Sequence, residues 1–494
     1  MHTDRFTPLD AATLLRWMQH DLPNKQLFGI DRELFFMPKP DDPFRMERYG
    51  KVLETPLGVA AGPHTQLAQN ILSAWLCGAR YIELKTVQVL DELNVAKPCI
   101  DMADEGYNCE WSQELKLDQS FEEYLKAFVL LYVLRDILNL PVEAEPGKGP
   151  GFIFNMSAGY NLEGIKSPAV QRFLDRMENA EEDVKRIKAG LAPLYPAIEK
   201  MPIPARLSDN LTVSTMHGCP PDEVESIGRY FITERKYNTA IKLNPTLLGP
   251  ERLRGILNTQ LGYDVCVPDE AFGHDLKYND GVAIIRNLAA AAETAGVAFG
   301  LKLTNTLETA NEKQNLPRSE GMVYMSGRSL HPISINLAER LQQEFDGKLD
   351  IAFSAGVDTF NVADTLACGL RPITMSSDIL KPGGYGRLHQ YLDTLRAEMR
   401  KAGAHTIAEW EKSRSPIAGN PGFANLVSYA AAVLGKHSRY HKERFPYVSV
   451  KTERPLPRFD CAAAPCMSGC PAEQDIPRYL DAVARGDFEL AWRV

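Results

Sequence analysis

The sequence predicts an α/β fold, a (β/α)8 TIM barrel with insertions, from three observations. Eight short runs rich in apolar and β-branched residues recur along the chain. A polar or glycine-containing turn and then a longer helical pattern follow these runs, as in alternating βα units. Most of the runs are too apolar for strands with one solvated face, which suits a buried parallel sheet. An open, doubly wound sheet is the alternative.

The predicted strands are, in order, LGVAA (57–61), RYIELK (80–85), GFIFNM (151–156), LTVST (211–215), TAIKL (239–243), FGLKLT (299–304), DIAFSAG (350–356) and PITMSS (372–377). Helical patterns between and after them include 120–138, 221–235, 405–413 and 422–435. Long insertions follow the second, fifth and sixth strands, the latter two at 262–281 and 311–332. Since barrel enzymes build their sites after strand carboxyl ends, we expect these insertions to surround the site.

Five regions are predicted along the chain: an N-terminal extension (1–50), the barrel (51–402), a helical extension (403–436), a linker (437–460) and the start of a further module (461–494). The linker is predicted because its sequence is basic, proline-rich and poorly periodic.

Composition excludes several classes of protein. The 494 residues carry a formal charge of -9, which argues against a general nucleic-acid surface. No apolar run reaches the roughly 18 residues of a membrane span, and the start lacks the pattern of a signal peptide. Six of the nine cysteines are scattered singly, as expected in a reducing compartment. We therefore expect a cytoplasmic protein without nucleic-acid or membrane partners.

The residues at the predicted strand ends are mostly amides, hydroxyls, glycines and lysines: Ala61, Gly62, Lys85, Thr86, Asn155, Thr215, Lys242, Asn244, Lys302, Asn305, Ser354 to Gly356, Ser376 and Ser377. A hydrolytic metal site would need histidine and carboxylate ligands. Small residues and amides suit a flat heteroaromatic ring, and a lysine can stabilise the ring when it is reduced. Backbone N–H groups after the last two strands often hold phosphate in this fold. This set points to FMN.

Six motifs carry a family resemblance: TPLGVAAGPHTQ, ARYIELKTV, NMSAGYNLEG, AIKLNP, MSGRSLHPISI and IAFSAGVDTFNVADTLACGLRPITMSS. In this order, over about residues 55–400, they resemble the dihydroorotate dehydrogenase-like FMN barrels, which include the pyrimidine-reducing domain of dihydropyrimidine dehydrogenase. STMHGCPPDEVESIGRYFI and NTAIKLNPTLLG, together with the cysteine-rich tail, resemble YgfK-type proteins labelled selenate reductase subunits. Those proteins join such a barrel to a module like the glutamate synthase small subunit.

The resemblance implies roles around the flavin ring. Ala61 and Gly62 would face the isoalloxazine, and Lys85 and Thr86 would contact the ring or the ribityl chain. Asn155 would contact flavin or substrate. The alternatives are a surface lysine, a turn asparagine and a tight-turn glycine.

The resemblance also assigns the far edge of the ring and the phosphate. Lys242 would lie near the N1/O2 edge, and Asn305 would touch the ring or the substrate. Gly356, Ser376 and Ser377 would hold the phosphate.

The loop after the fourth strand, MHGCPP, carries the candidate catalytic residues His217 and Cys219. In the family this loop has a Cys or Ser that exchanges a proton while the flavin exchanges a hydride with the neighbouring carbon. The Asn-Leu-Ser that precedes it in relatives is replaced by VSTMHG, which puts a pyrimidine substrate in doubt. The alternatives are a structural thiol and a loop histidine.

Three cysteines, Cys461, Cys466 and Cys470, lie within ten residues and are followed by Pro471. Zinc sites usually pair their ligands at short spacing in two pairs, whereas proline after the last cysteine is familiar from iron–sulfur motifs. The tail resembles the segment of glutamate synthase small subunits that binds [4Fe–4S] clusters. By that resemblance these cysteines are cluster ligands with incomplete ligation, and FAD and NAD(P)H sites would lie beyond Val494 in a longer polypeptide. Zinc or plain thiols are the alternatives.

The predicted function is a flavin-dependent oxidoreductase that passes electrons between iron–sulfur clusters, FMN and a small, heterocyclic substrate. Its other partners would be further reductase subunits. Two alternatives use the same fold: a non-catalytic docking and electron-relay subunit, and a Schiff-base aldolase with Lys242 or Lys302 as nucleophile.

Overall fold

Eight parallel strands close into a barrel in the computed structural model. They are β1 (Leu57–Val59), β2 (Tyr81–Glu83), β3 (Ile153–Gly159), β4 (Asn210–Ser214), β5 (Asn238–Leu243), β6 (Phe299–Leu303), β7 (Ile351–Phe353) and β8 (Ile373–Met375). Each strand pairs with the next along the chain, and β8 pairs with β1. The closed ring confirms the predicted TIM barrel and excludes the open sheet.

The structure describes residues 6–89, 99–101, 107–108, 113–159, 161–214, 218–312, 320–381, 383–415, 419–444, 470–472, 474–484 and 486–493. Within these ranges the α-helices are α1 (Ala11–Asp21), α2 (Ala68–Leu76), α3 (Leu117–Ile137), α4 (Leu162–Ile165), α5 (Pro168–Glu178), α6 (Glu181–Leu191), α7 (Pro221–Thr233), α8 (Pro250–Arg254), α9 (Asp269–His274), α10 (Tyr278–Ala295), α11 (Leu330–Glu344), α12 (Val362–Ala367), α13 (Arg387–Lys401), α14 (Ile407–Arg414), α15 (Pro421–Ala432), α16 (Ile476–Ala484) and α17 (Phe488–Arg493).

The strands lie where the apolar runs predicted them, with differences at their ends. The third strand extends to Gly159, beyond the predicted end at 156. The seventh ends at Phe353, whereas the prediction continued to 356. Gly356, the predicted last residue of this strand, has φ +55°, which is not an extended conformation.

A hairpin of Met46–Arg48 and Lys51–Leu53 closes the amino end of the barrel. Lys51 pairs with Asp209 at 2.7 Å, just before β4, which fixes the hairpin to that strand. Behind the hairpin, Glu54 is buried and accepts hydrogen bonds from Arg80 at 2.6 Å and from Arg135 at 3.0 Å. Because these charges are paired and buried, this end of the barrel has a structural role.

A small sheet lies on the opposite side, among the segments that leave the carboxyl ends of β2 and β6. This rim sheet consists of Leu307–Ala310, Met322–Met325, Ile100–Asp101 and Tyr107–Asn108. It joins the predicted insertions after the second and sixth strands. The described parts of these two insertions therefore meet at the carboxyl end of the barrel, where the sequence predicted them.

The segment after α15 packs against the barrel as far as it is described. Tyr440 is buried, and its hydroxyl accepts a hydrogen bond from Asn361 at 2.9 Å. Residues 437–444 of the predicted linker thus contact the barrel, and 445–460 lie outside the described residues. Among the helices that the structure describes, none has the length and apolar character needed to cross a bilayer.

The N-terminal region also contains a short antiparallel strand pair, Gln26–Leu27 with Ile30–Asp31.

Candidate active site

A pocket opens at the carboxyl end of the barrel strands, with an empty volume of about 520 Å³ that includes open solvent. Its walls come from strand ends and the loops that follow them: Ala60, Ala61, Glu83, Lys242, Lys302, Thr304, Asn305, Thr306, Ser326, Gly327, Leu330, Ser354, Ala355, Gly356, Val357, Thr374, Met375, Ser376, Ser377 and Asp378. Two lysines, several hydroxyls and one amide face it, together with two carboxylates.

The structure brings six of the ten predicted cofactor residues together in this pocket: Ala61, Lys242, Asn305, Gly356, Ser376 and Ser377. Gly62, Lys85, Thr86 and Asn155 are not among the residues that line it. The predicted ring edge and phosphate positions are thus adjacent.

The other four predicted residues lie nearby with different contacts. Asn155 is fully buried, and its amide is bonded to Asn210 at 2.7 Å and to Thr212 at 2.8 Å within the barrel. Thr86 shares a hydrogen bond with Ser157 at 2.8 Å. The Gly62 N–H donates to the Thr65 hydroxyl at 3.2 Å, which forms a local turn. Lys85 is half-buried.

An ion pair forms the floor of the pocket. Lys302 of β6 donates hydrogen bonds to Glu83 of β2 and to the Thr374 hydroxyl of β8. Strands 2, 6 and 8 are not neighbours in the barrel, so these side chains meet only because all three point inward. Burial lowers the pKa of Lys302, while the charge of Glu83 opposes that shift. The sequence flagged Lys302 as a strand end but not Glu83, which stands inside an apolar run.

Gly356 lies in direct contact with the loop that precedes α11. A Cβ at this position would lie 2.3 Å from the carbonyl oxygen of Gly327. The neighbouring Ala355 carbonyl accepts a hydrogen bond from Nδ1 of His331 at 2.7 Å, and Nε2 of that ring contacts the Tyr429 hydroxyl at 3.0 Å. Burial lowers the pKa of His331 to about 4. The neutral ring therefore helps to fix the loop after β7.

The two serines after β8 differ in their contacts. The Ser377 hydroxyl shares a hydrogen bond with Ser326 at 2.8 Å. The Ser376 hydroxyl oxygen is buried and has no hydrogen-bond partner among the described residues. Because Ser376 also lines the pocket, a ligand bound there could supply the missing partner. Asp378 also lies on the pocket wall, and its negative charge is paired with Arg387 and Lys381.

His64, in the loop after β1, is a site candidate that the sequence analysis did not single out. Its Nε2 is buried and has no hydrogen-bond partner in the described part of the chain. Burial lowers the pKa of His64 to about 4, and the positive charge of Lys85 adds to this lowering. The ring is therefore neutral near pH 7, and its position in GPHTQ, directly after β1, is the signal that could have identified it.

The loop that carries Cys219 is held by the insertion after β5. The Gly218 N–H donates to Asp275 at 3.2 Å, and the Thr246 hydroxyl donates to the same carboxylate at 2.6 Å. Burial raises the pKa of Cys219 to about 11, helped by the charges of Glu223 and Asp222, so the thiol is protonated at neutral pH. His217, the other predicted catalytic residue, lies outside the described residues.

A histidine and a carboxylate also meet beside this loop. Nε2 of His274 contacts Glu308 of the rim sheet at 2.9 Å. The His274 ring lies 3.9 Å from the position of a Cβ on Gly218. Sequence reasoning missed this pair because its members belong to two different insertions, and only the fold brings them together.

The predicted cluster ligands fall mostly outside the described residues, which include Cys470 but neither Cys461 nor Cys466. Cys470 is half-buried. Across the ranges that the structure does describe, no group of three or more His, Cys, Asp or Glu side chains has a metal-binding arrangement.

The pocket itself combines hydroxyls, an amide and lysines, a donor set that fits a ring with an anionic tail.

Comparison with solved structures finds dihydroorotate dehydrogenase of Eimeria tenella in two crystal structures. The ligand-free enzyme is 16% identical with a TM-score of 0.45, over 76% of this chain and 92% of that enzyme. The complex with ferulenol is 16% identical with a TM-score of 0.46, over 83% and 96% of the two chains. Similarity at this level carries no argument about function.

Two curated relatives share much more of the sequence. Each is named "Putative oxidoreductase YgfK", one from Escherichia coli strain K12 and one from Escherichia coli O157:H7. Both are 41% identical over 477 residues, which cover 92% of this chain and 44% of the relative. The chain thus spans less than half the length of these relatives. A family model described as "Oxidoreductase YgfK, N-terminal TIM-barrel domain" matches residues 28–418. The chain therefore belongs to the YgfK oxidoreductase family, and its closed barrel is the N-terminal TIM-barrel domain of that family.

Proposed function

We propose that the barrel binds FMN and that the protein is an oxidoreductase which exchanges electrons between iron–sulfur clusters and a small substrate. The observation that carries the proposal is the unpartnered, buried Ser376 hydroxyl in a pocket that also presents Lys242 and Asn305. A ligand that supplies an acceptor to Ser376 would remove an otherwise costly orphan group. The family supports redox chemistry in general.

The phosphate end of the proposed site is formed by the loops after β7 and β8. Gly356 approaches Gly327 too closely to carry a side chain, which leaves backbone facing the pocket. Ser376 and Ser377 add hydroxyls, one of them unpartnered. Backbone and hydroxyl donors without a large side chain suit a phosphate group.

The ring end of the proposed site has the lysines. FMN, when bound, supplies reversible hydride and single-electron transfer. Lys242 and Lys302 are the residues that would stabilise negative charge on the ring, and Asn305 would orient it by hydrogen bonds. The small side chain of Ala61 leaves room for a flat ring at the end of β1.

Cys219 is the proposed proton donor to substrate. Its raised pKa keeps the proton on sulfur at neutral pH, as an acid requires. Asp275 holds its loop through the Gly218 N–H, so this acid would be positioned by the insertion after β5. The catalytic role of His217, the function as a selenate reductase subunit and a heterocyclic substrate stay predictions.

The cysteine-rich tail is proposed to ligate a [4Fe–4S] cluster through Cys461, Cys466 and Cys470, with the remaining ligation, FAD and NAD(P)H sites in a longer polypeptide. The proposal rests on the resemblance of the tail and on the length of the relatives, of which this chain covers 44%. Other reductase subunits are the proposed partners, and the cytoplasm is the proposed location.

One observation favours a second candidate, the Schiff-base aldolase. Lys302 is buried at a pocket floor and its pKa is lowered, which are properties of a nucleophilic lysine. Its hydrogen bond to Glu83 opposes this role, because the carboxylate stabilises the ammonium form. Flavin is the better-supported ligand.

The test is purification of the whole chain, followed by its visible absorption spectrum and mass identification of the bound small molecule. The flavin proposal expects the bands of an oxidised flavin and the mass of FMN. Borohydride treatment with aldehyde or ketone substrates is the parallel arm. A colourless protein that gains the mass of a substrate on Lys302 would contradict the flavin proposal and support the aldolase.

A further inference from the structure

The ion pair between Glu83 and Lys302 is almost completely buried. Side-chain exposure is 2% for Lys302 and 7% for Glu83. Both residues nevertheless line the candidate site. A charged pair in this position is shielded from bulk water, so its field acts on whatever occupies the pocket with little screening.

The pair is fixed by neighbours on both sides. The Thr374 hydroxyl donates to the same Glu83 oxygen that binds Lys302, at 3.0 Å. The second oxygen of Glu83 accepts a hydrogen bond from the Ala61 N–H at 3.3 Å. Glu83 therefore links the floor of the pocket to the loop that would face a ring.

The protonation of Lys302 depends on Glu83. Burial and the positive charges of Lys242 on β5 and Arg48 on the amino-end hairpin all lower the pKa of Lys302. Among the principal interactions of Lys302, only those with Glu83 raise its pKa. On the Glu83 side, the titratable neighbours are Tyr81 and His64, and Lys85 also acts on His64.

We propose that Glu83 is a positioning residue that keeps Lys302 protonated at the pocket floor, and that this neutral pair sets how strongly the site prefers reduced over oxidised flavin. The inference rests on the proposed function for its second half only. Removing one member leaves an unbalanced charge whose presence depends on pH, whereas removing both leaves the charge of the site unchanged.

The first experiment requires no flavin. The lysine Cε signals of the whole chain are followed by ¹³C NMR over pH, with the Lys302 signal assigned by its loss in K302M. In wild type, Lys302 is expected to stay charged across neutral pH. In E83Q, its signal is expected to titrate at lower pH. A Lys302 signal that titrates at the same pH in both proteins overturns the positioning role of Glu83.

The second experiment measures the flavin midpoint potential of the FMN-loaded chain over pH. E83Q is expected to lie above wild type at acid pH, where the unpaired Lys302 carries its proton, and to converge with it at alkaline pH. K302M is expected to lie below wild type at alkaline pH, where Glu83 is ionised, and to converge at acid pH. The expected separation is at least tenfold in the ratio of affinities for reduced and oxidised flavin, which is about 30 mV for a two-electron couple.

Two further variants serve as controls. The double variant E83Q/K302M removes both titrating groups, so the difference between its midpoint potential and that of wild type is expected not to change with pH. K51M/D209N removes an ion pair at the opposite end of the barrel and is expected to follow wild type over the whole pH range. If K302M does not fold, E83Q alone carries the sign of the effect at acid pH.

The outcomes separate the two claims. A wild-type chain that binds no flavin refutes the proposed function and the redox half of this inference, while the NMR result still decides the role of Glu83. The other outcome is that the chain binds flavin, but the ratio of affinities for reduced and oxidised flavin in E83Q and in K302M stays within threefold of the wild-type ratio at every pH. That result overturns the inference and leaves the flavin proposal intact.

Discussion

Lys242 and Lys302 are register partners on the adjacent parallel strands β5 and β6. Both therefore leave the sheet on the same face, and both line the pocket. They differ in depth, since Lys302 is buried against Glu83 whereas Lys242 is half-buried. The two lysines are thus chemically distinct, one structural and electrostatic at the floor and one more accessible at the wall.

The first prediction concerns the stability of the floor. K302M is expected to destabilise the flavin-free chain at neutral pH by about 3–5 kcal/mol, because it leaves Glu83 as a buried charge without its partner. Chemical denaturation followed by circular dichroism measures the loss. K51M removes the cation of a more exposed pair and is expected to cost at most about 1 kcal/mol. Equal losses in both variants would contradict the burial argument.

The second prediction concerns the loop after β7. G356A is expected to abolish FMN retention, because its methyl group would lie 2.3 Å from the Gly327 carbonyl oxygen and push the loops apart. G384A is the matched control: Gly384 has φ +51° against +55° for Gly356, but its Cβ would meet no atom within 4 Å. Both variants carry the backbone strain of about 1–2 kcal/mol. The measurement is the FMN content per chain after purification. Equal retention in both variants would contradict the proposed role of the Gly356 loop in holding the phosphate.

The third prediction concerns the unpartnered serine. S376A is expected to weaken FMN binding by about 1.5–3 kcal/mol, the range for a hydrogen bond to a charged group, with little effect on the stability of the flavin-free chain. Ser167 offers a control, since its hydroxyl is also buried without a described partner but lies at the start of α5. Fluorescence titration with FMN is expected to separate S376A from S167A, and identical affinities would contradict the role of Ser376.

The fourth prediction follows from the buried His331. Burial lowers its pKa from 6.5 to about 4, so the unfolded chain binds a proton between these values that the folded chain does not. Stability therefore falls as the pH decreases from about 6.5 to 4, by about 3 kcal/mol for this residue. In H331Q this part of the pH dependence is expected to disappear, although His64 still contributes in the same direction.

Denaturation series at several pH values measure that slope. An H331Q chain whose stability decreases as steeply as that of wild type would show that the neutral His331 contributes nothing to the acid sensitivity of the fold. H20Q provides a control, since His20 is a highly exposed histidine that contacts a carboxylate on α1.

The barrel was accessible to sequence reasoning because each strand is a short apolar run followed by a turn and a helix. The order of the strands follows from the barrel class, whereas the open, doubly wound alternative has another order, and the closed ring decides between them. The sequence does not define where each strand ends. The seventh strand ends at Phe353, but Ala355 beyond it is also buried, and a small apolar residue occurs equally in a strand and in a buried loop.

The site was only partly accessible. Strand-end reasoning found Lys242, Asn305 and Ser376 because the fold class alone places such residues at one end. It did not find Glu83, which meets Lys302 across the barrel rather than along the chain. Contacts of this kind depend on which side chains point inward from strands that are far apart in sequence, and no local pattern encodes them.

The pairing of His274 with Glu308 was inaccessible for a related reason. The residues belong to α9 and to the rim sheet, which follow different strands, and the sequence showed only two polar insertions. Their meeting depends on how both insertions fold back over the same end of the barrel.

The central claim, a pocket that holds a phosphorylated isoalloxazine, is tested most directly by calorimetric titration of the flavin-free chain with FMN and, separately, with riboflavin. The account predicts one FMN site per chain and a riboflavin affinity at least tenfold weaker, because riboflavin lacks the group that Ser376 and the loop of Gly356 would bind. No heat of binding with FMN, or equal affinities for the two compounds, would contradict it.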